Sequence, residues 1–226
     1  MSYAVVVETV SAHLNAIITA GPLRVAVDGR TACGKSTFAR ALSAKLAERG
    51  RRVLHTTIDG FHNPKSVRYA RGRLSAEGYY RDARDLAAIR RELLDPLGPG
   101  GSYVVRTGTF DLDADLPKTV EALQVPADTI LIVDGTFLAR PELAPAWDVH
   151  IFLRTSRTMA RNSGIARDCQ AGGARQQVEA NYDRRYLPAF DLYVAEADPE
   201  DGADMIIDLE DFASPRIARM SGAEPK

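Results

Sequence analysis

At 226 residues, with 26% charged and 45% hydrophobic side chains, the chain is long enough for one sizeable core and too ordinary in composition to be a disordered segment. Its 29 basic and 30 acidic residues nearly cancel, so no global field draws it to nucleic acid or to an anionic membrane, and any anion must be bound locally. No stretch approaches the ~20 apolar residues of a membrane span, and the N-terminus lacks the pattern of a secretory signal, so the expectation is a cytoplasmic protein with neither nucleic-acid nor membrane partners.

Val6, Val7, Val10, Leu14, Ile17 and Ile18 recur at three- and four-residue spacings, which predicts an amphipathic helix stopping at Gly21-Pro22. The apolar run Leu23-Arg24-Val25-Ala26-Val27 then reads as a strand, and Gly29-Arg30-Thr31-Ala32-Cys33-Gly34-Lys35-Ser36 follows it, satisfying G-x-x-x-x-G-K-[ST]. Two glycines let the backbone N–H groups converge on an anion, Lys35 adds charge toward the outer phosphates, and the Ser36 hydroxyl can ligate Mg²⁺. Gly29 to Ser36, together with Thr37, are therefore the expected nucleotide-binding residues. Phe38, Ala39, Leu42 and Leu46 continue as a helix to Gly50, so the required strand, loop and helix are all present. Cys33 and Cys169 are the only cysteines, and both read as free thiols, because a disulfide at Cys33 would obstruct the loop.

Val53-Leu54-His55-Thr56-Thr57-Ile58 is a strand ending at Asp59, and an irregular Arg-, Tyr- and Gly-rich stretch runs on to Asp82. Such a stretch inside a regular α/β chain is where function concentrates. Residues 85–94 are helical in spacing, and Leu97-Gly98-Pro99-Gly100-Gly101 breaks them. Thr129-Ile130-Leu131-Ile132-Val133-Asp134 and Val149-His150-Ile151-Phe152-Leu153 read as strands buried on both faces of a parallel sheet. Residues 157–169 and 175–186 are predicted helices, Leu192-Tyr193-Val194 and Met205-Ile206-Ile207 short strands, and residues 213–226 a loose tail. The fold class is α/β: a three-layer P-loop fold over residues 1–212, with a mostly parallel, doubly wound sheet and no internal repeat.

A phosphate loop serves either hydrolysis, as in a switch or motor, or transfer to a second substrate. Asp59 ends the strand after the loop's helix, at the sheet edge that faces the ligand crevice, where a carboxylate can take the proton of an attacking hydroxyl. Asp59-Gly60 also suits a turn. Asp134 closes the most hydrophobic strand, where an acid stands near magnesium, although Asp134-Gly135 suits a turn as well. Arg154, Arg157, Arg161, Arg167 and Arg175 fall on the late helices; they either neutralise a transferring phosphoryl group or form a solvated face. His62 faces the acceptor or merely caps its loop.

Together with the loop, the segments Ile58-Asp59-Gly60-Phe61-His62, Glu77-Gly78-Tyr79-Tyr80-Arg81-Asp82-Ala83-Arg84-Asp85, Val133-Asp134-Gly135, Arg167-Asp168 and Tyr186-Leu187-Pro188-Ala189-Phe190 carry a resemblance over nearly the whole chain. The sequence is similar to the uridine kinase and phosphoribulokinase superfamily of phosphate-loop kinases, and within it to bacterial uridine kinase-like proteins. The resemblance implies ATP as donor and Mg²⁺ as cofactor. It gives Lys35 and the loop amides to the ATP phosphates, Ser36 and Asp134 to the magnesium shell, and Asp59 to the role of general base. Arg167 would act from a helical lid at about residues 155–180, and Asp82 would bind ribose hydroxyls, with Phe61, His62, Tyr80 and Arg161 completing the substrate side. The implied reaction is phosphorylation of a small-molecule hydroxyl, in its most specific form the 5′-hydroxyl of uridine or another nucleoside; self-association into a homo-oligomer is left open. Pantothenate or another metabolite is the alternative acceptor, and a regulatory nucleotide-hydrolysing protein without a small acceptor is the alternative of another class. One departure bears on the acceptor. Uridine kinases usually carry a His and an Arg after a Tyr-Asp pair to recognise the pyrimidine, whereas Phe110-Asp111-Leu112-Asp113-Ala114-Asp115-Leu116-Pro117-Lys118 contains neither.

Overall fold

Because the run Leu23–Gly29 (β1) is apolar on both faces, it needs cover on both, and every residue in it but Arg24 is buried at the middle of a six-stranded sheet. The protein is described by a computed structural model covering residues 1–221. The other strands are Arg52–Thr57 (β2), Thr129–Asp134 (β3), Val149–Arg154 (β4), Met205–Asp208 (β5) and Arg216–Met220 (β6). Their spatial order is β6-β5-β4-β1-β3-β2; all pairs are parallel except the antiparallel β6 edge. Chain order reverses at β1, and an open α/β sheet takes its ligand at the carboxyl ends of the strands beside such a point. The register levels those ends: Val27 and Thr57 both lie opposite Asp134, and Gly29 lies opposite Leu153.

Helix Tyr3–Ala16 (α1) begins where the Ser2 hydroxyl accepts from the Val5 N–H, and it buries Val6, Val7, Val10 and Leu14 on one face of the sheet. It stops a turn before Gly21-Pro22, which leaves Ile18 89% exposed rather than on the buried stripe. Helix Lys35–Glu48 (α2) packs beside it through Phe38, Ala39, Leu42 and Leu46 and closes near Gly50, as its spacing predicts. The opposite face of the sheet is covered by Ile58, Phe61, Ile89, Leu93 and Trp147. Helices Arg157–Gln170 (α3), Arg175–Asn181 (α4) and Leu187–Ala197 (α5) complete the late half of the chain.

Two expectations are corrected. Leu192-Tyr193-Val194 is not a strand but part of α5, because Leu187, Phe190 and Tyr193 recur every three residues and bury one helical face. Within the expected loose tail, Arg216–Met220 pairs with β5 as the sheet's edge, a five-residue segment in which only Ile217 and Met220 meet the core. Residues 222–226 of that expected tail lie outside the described residues. Among the described residues no helix is long and apolar enough to cross a membrane.

Candidate active site

The loop between β1 and α2 is shaped by positions that tolerate no side chain. Gly29 sits at φ +149, and a Cβ there would meet the Leu153 carbonyl at 2.6 Å and Cys33 Sγ at 2.8 Å. Gly34 caps α2 in the left-handed region at φ +93, where glycine is least strained. Lys35 reaches back over the turn and donates from Nζ to the carbonyls of Gly29 and Arg30 at 3.0 and 2.6 Å. Its ammonium therefore stands at the mouth of a backbone cradle that ends at a helix N-terminus, the geometry that favours an anion. The loop is anchored from below: fully buried Asp28 accepts from the Gly29 N–H at 2.6 Å and from the Tyr193 hydroxyl, and lies 3.3 Å from His150 Nε2. Cys33 is wholly buried, and burial pushes its thiol up, so it is a packing residue of the loop and not a nucleophile.

Ser36 Oγ donates to Asp134 Oδ2 at 2.6 Å, and His55 Nε2 meets Asp134 Oδ1 at 2.8 Å. Two hard oxygens at this spacing fit Mg²⁺, which takes one or two protein ligands and completes its shell with phosphates and water. Among the described residues no group of three or more His, Cys, Asp or Glu is placed to hold a metal ion.

Asp59 lies past the end of β2, where its N–H turns back to the Thr57 hydroxyl. Desolvation in the cleft would push its carboxyl up, but Arg84, which donates to Oδ1 at 2.7 Å, outweighs this and holds it below the ordinary carboxylate range. Burial and the Arg84 charge push His62 down to about 4. Its neutral ring must donate from Nδ1 to the Asp59 carbonyl at 2.7 Å, since a carbonyl only accepts, which leaves Nε2 as an acceptor.

Thr31, Ala32, Lys35, Ser36, Asp59, His62 and Asp134 line one cleft of about 300 Å³, and Arg167 of α3 lines it too. Arg167 is oriented by Asp168 at 2.8 Å and by the Tyr182 hydroxyl at 3.2 Å. Gly34, Lys35, Ser36, Thr37 and Arg167 also line an adjoining opening. The structure does not bring the other predicted residues to this wall. Phe61 is fully buried among Ile58, Leu93 and Leu138, and Tyr80 is a core ring against Phe137, Tyr193 and the Arg140 guanidinium; both are corrected from substrate contacts to core residues. Asp82 is held by Arg71 at 2.8 Å. Arg161 is spent on a two-pronged pair with Asp183 at 2.6 and 2.7 Å, and Arg30 contributes its carbonyl to Lys35 while its guanidinium lies 4.4 Å from the Phe190 ring.

The model of the Phosphoribulokinase / Uridine kinase family matches residues 25–211, a span that starts in β1 and takes in the loop, Asp59, Asp134 and the late helices. The chain belongs to this family. As a member of the phosphoribulokinase/uridine kinase family it shares its fold with solved kinases. A possible uridine kinase from Bacillus stearothermophilus superposes with a TM-score of 0.70 at 22% identity, covering 88% of this chain and 96% of that one. D-glycerate 3-kinase from Cryptococcus neoformans var. grubii superposes with a TM-score of 0.60 at 14% identity, covering 95% and 97%. A comparison with curated proteins finds no match.

Family membership leaves several cleft residues that motif reading did not assign. Arg68, Tyr69 and Arg84 come from the irregular stretch and its end, Tyr79 is the neighbour of the buried Tyr80, and Arg185 and Tyr186 come from the segment before α5. The Arg- and Tyr-rich composition of residues 60–82 was the available signal for the first of these. His55 had none, since only the register of β2 against β3 brings it to Asp134.

Proposed function

We propose that the protein is an ATP- and Mg²⁺-dependent kinase that transfers a phosphoryl group to the hydroxyl of a small metabolite. The observation that carries this reading is that Asp59 shares one cleft with Lys35, Ser36 and Asp134. Lys35 and the loop amides would hold the ATP phosphates, and Ser36 and Asp134 the metal. Ionised Asp59 would accept the proton of the attacking hydroxyl, and Arg167, on a lid formed by residues 155–180, would balance charge on the phosphoryl oxygens. The specific acceptor that the motifs name is uridine or another nucleoside, and the ring faces of Tyr69, Tyr79 and Tyr186 on the cleft wall would suit a base. Positioning and electrostatics would supply most of the rate.

The test is ADP release from ATP with Mg²⁺, measured with and without a panel of nucleosides, hydroxy acids, sugar phosphates and pantothenate. Release that depends on an acceptor and is abolished in Lys35→Ala is expected. Hydrolysis that no metabolite stimulates contradicts the kinase reading and favours a regulatory nucleotide-hydrolysing protein.

A further inference from the structure

The cations of the cleft fall into two groups. Lys35 and Arg167 border the phosphate loop, whereas Arg68, Arg84 and Arg185 line the same cleft without bordering the adjoining opening at the loop. Arg84 is paired with Asp59 at 2.7 Å and Arg68 with Asp115 at 2.8 Å. Arg185 has no carboxylate partner among the described residues. It is 8% exposed and is held by tyrosines, hydrogen-bonding the Tyr69 side chain, with its guanidinium 5.0, 4.9 and 5.6 Å from the ring centroids of Tyr69, Tyr79 and Tyr186. Arg68 is 5% exposed, and the Nε groups of Arg68 and Arg84 are buried N–H donors that meet no acceptor among the described residues. A buried guanidinium without a counter-charge, beside buried donors without acceptors, is costly unless a ligand completes it. A guanidinium fork matches phosphate or carboxylate.

We infer that Arg185, with Arg68, forms a subsite for an anionic group on the acceptor, so that the acceptor is a phosphorylated or carboxylated metabolite and not a neutral nucleoside. This rests on the phosphoryl-transfer reading and departs from its nucleoside form, replacing the neutral acceptor by an anionic one. Tyr69, Tyr79 and Tyr186 then hold the arginine in place and exclude water from it.

Thermal unfolding of the full chain, saturated with a non-hydrolysable ATP analogue and Mg²⁺ so that the phosphate loop is filled, reads the subsite without turnover. Inorganic phosphate and acetate are titrated separately; saturable stabilisation by the first points to a phosphorylated acceptor, by the second to a carboxylate. Arg185→Gln is expected to weaken the effective anion by about tenfold or more, and Arg185→Lys by clearly less, with binding of the analogue reporting that each variant is folded. Wild-type protein that neither anion stabilises, or Arg185→Gln that responds as wild type does, overturns the subsite. In the turnover assay, a neutral nucleoside used in preference to every anionic acceptor also overturns it while leaving the kinase reading intact. Anion binding without any acceptor-dependent turnover overturns the kinase reading instead.

Discussion

The hydroxyl of Ser36 donates to Oδ2 of Asp134 across 2.6 Å, joining the first turn after the phosphate loop to the end of the most buried strand of the sheet. His55 occupies the other carboxylate oxygen at 2.8 Å, so Asp134 is fixed from two sides. If this pair holds the metal, Asp134→Asn keeps the shape and loses the charge. The Mg²⁺ concentration for half-maximal phosphoryl transfer is then expected to rise by about tenfold to a hundredfold. A magnesium titration checks this, and an unchanged midpoint contradicts the assignment.

The backbone at Gly29 gives a prediction on stability. A methyl group there would stand 2.6 Å from the Leu153 carbonyl at a φ of +149, and the obstacle is backbone that cannot rotate away. Gly29→Ala is expected to cost at least about 1–3 kcal/mol and to lower nucleotide affinity with it. Urea unfolding of the two proteins measures the first effect and analogue binding the second.

The pH dependence follows from Asp59 and His62. Asp59 must be ionised to act as base, and because its carboxyl is held low by Arg84, the rate should persist through neutral pH and fall only below the ordinary range near ~3.9. In Arg84→Ala the largest influence that lowers it is lost, the carboxyl moves up, and the acid limb of kcat/KM moves up with it. His62, pushed down to about 4, stays neutral and should give no inflection near ~6.5. A kcat/KM profile with a limb at the ordinary histidine value contradicts this description of the cleft.

Much of this architecture was legible because it rests on local pattern. The continuous runs at β1, β3 and β4, the glycines and lysine of the loop, and the stop near Gly50 need no tertiary information. Family membership, shown by the match over residues 25–211, agrees with the resemblance those motifs carry. What could not be read depends on packing. Tyr79 and Tyr80 are adjacent and equally aromatic, yet one lines the cleft and the other lies in the core, because α-helical geometry turns neighbours about 100° apart. Asp82 matches a motif in sequence and Arg161 fits one only approximately, but Arg71 and Asp183 pair with them in space, and sequence spacing carries no record of such partners. Tyr193 looked like a strand residue for its β propensity and is instead a helical side chain whose hydroxyl reaches Asp28 under the loop.

Phe61 separates a packing role from a substrate role. The ring is fully buried on the sheet face away from α1 and α2, so Phe61→Ala is expected to destabilise the fold by about 3–5 kcal/mol through the cavity it leaves. Phe61→Leu should retain most of the stability and leave the KM for the acceptor unchanged. Denaturation and steady-state kinetics on the pair distinguish the two roles, and a raised acceptor KM in Phe61→Leu with full stability contradicts the core assignment.

The central claim, that Asp59 is the base of a phosphoryl-transfer site, is tested most directly by single-turnover transfer from ATP to the best acceptor in Asp59→Asn. The substitution keeps the side chain's size and removes its ability to take a proton. A fall in the transfer rate of about 10²–10⁴-fold, with ATP-analogue binding and thermal unfolding as in the wild type, is the predicted result. Transfer at the wild-type rate contradicts it.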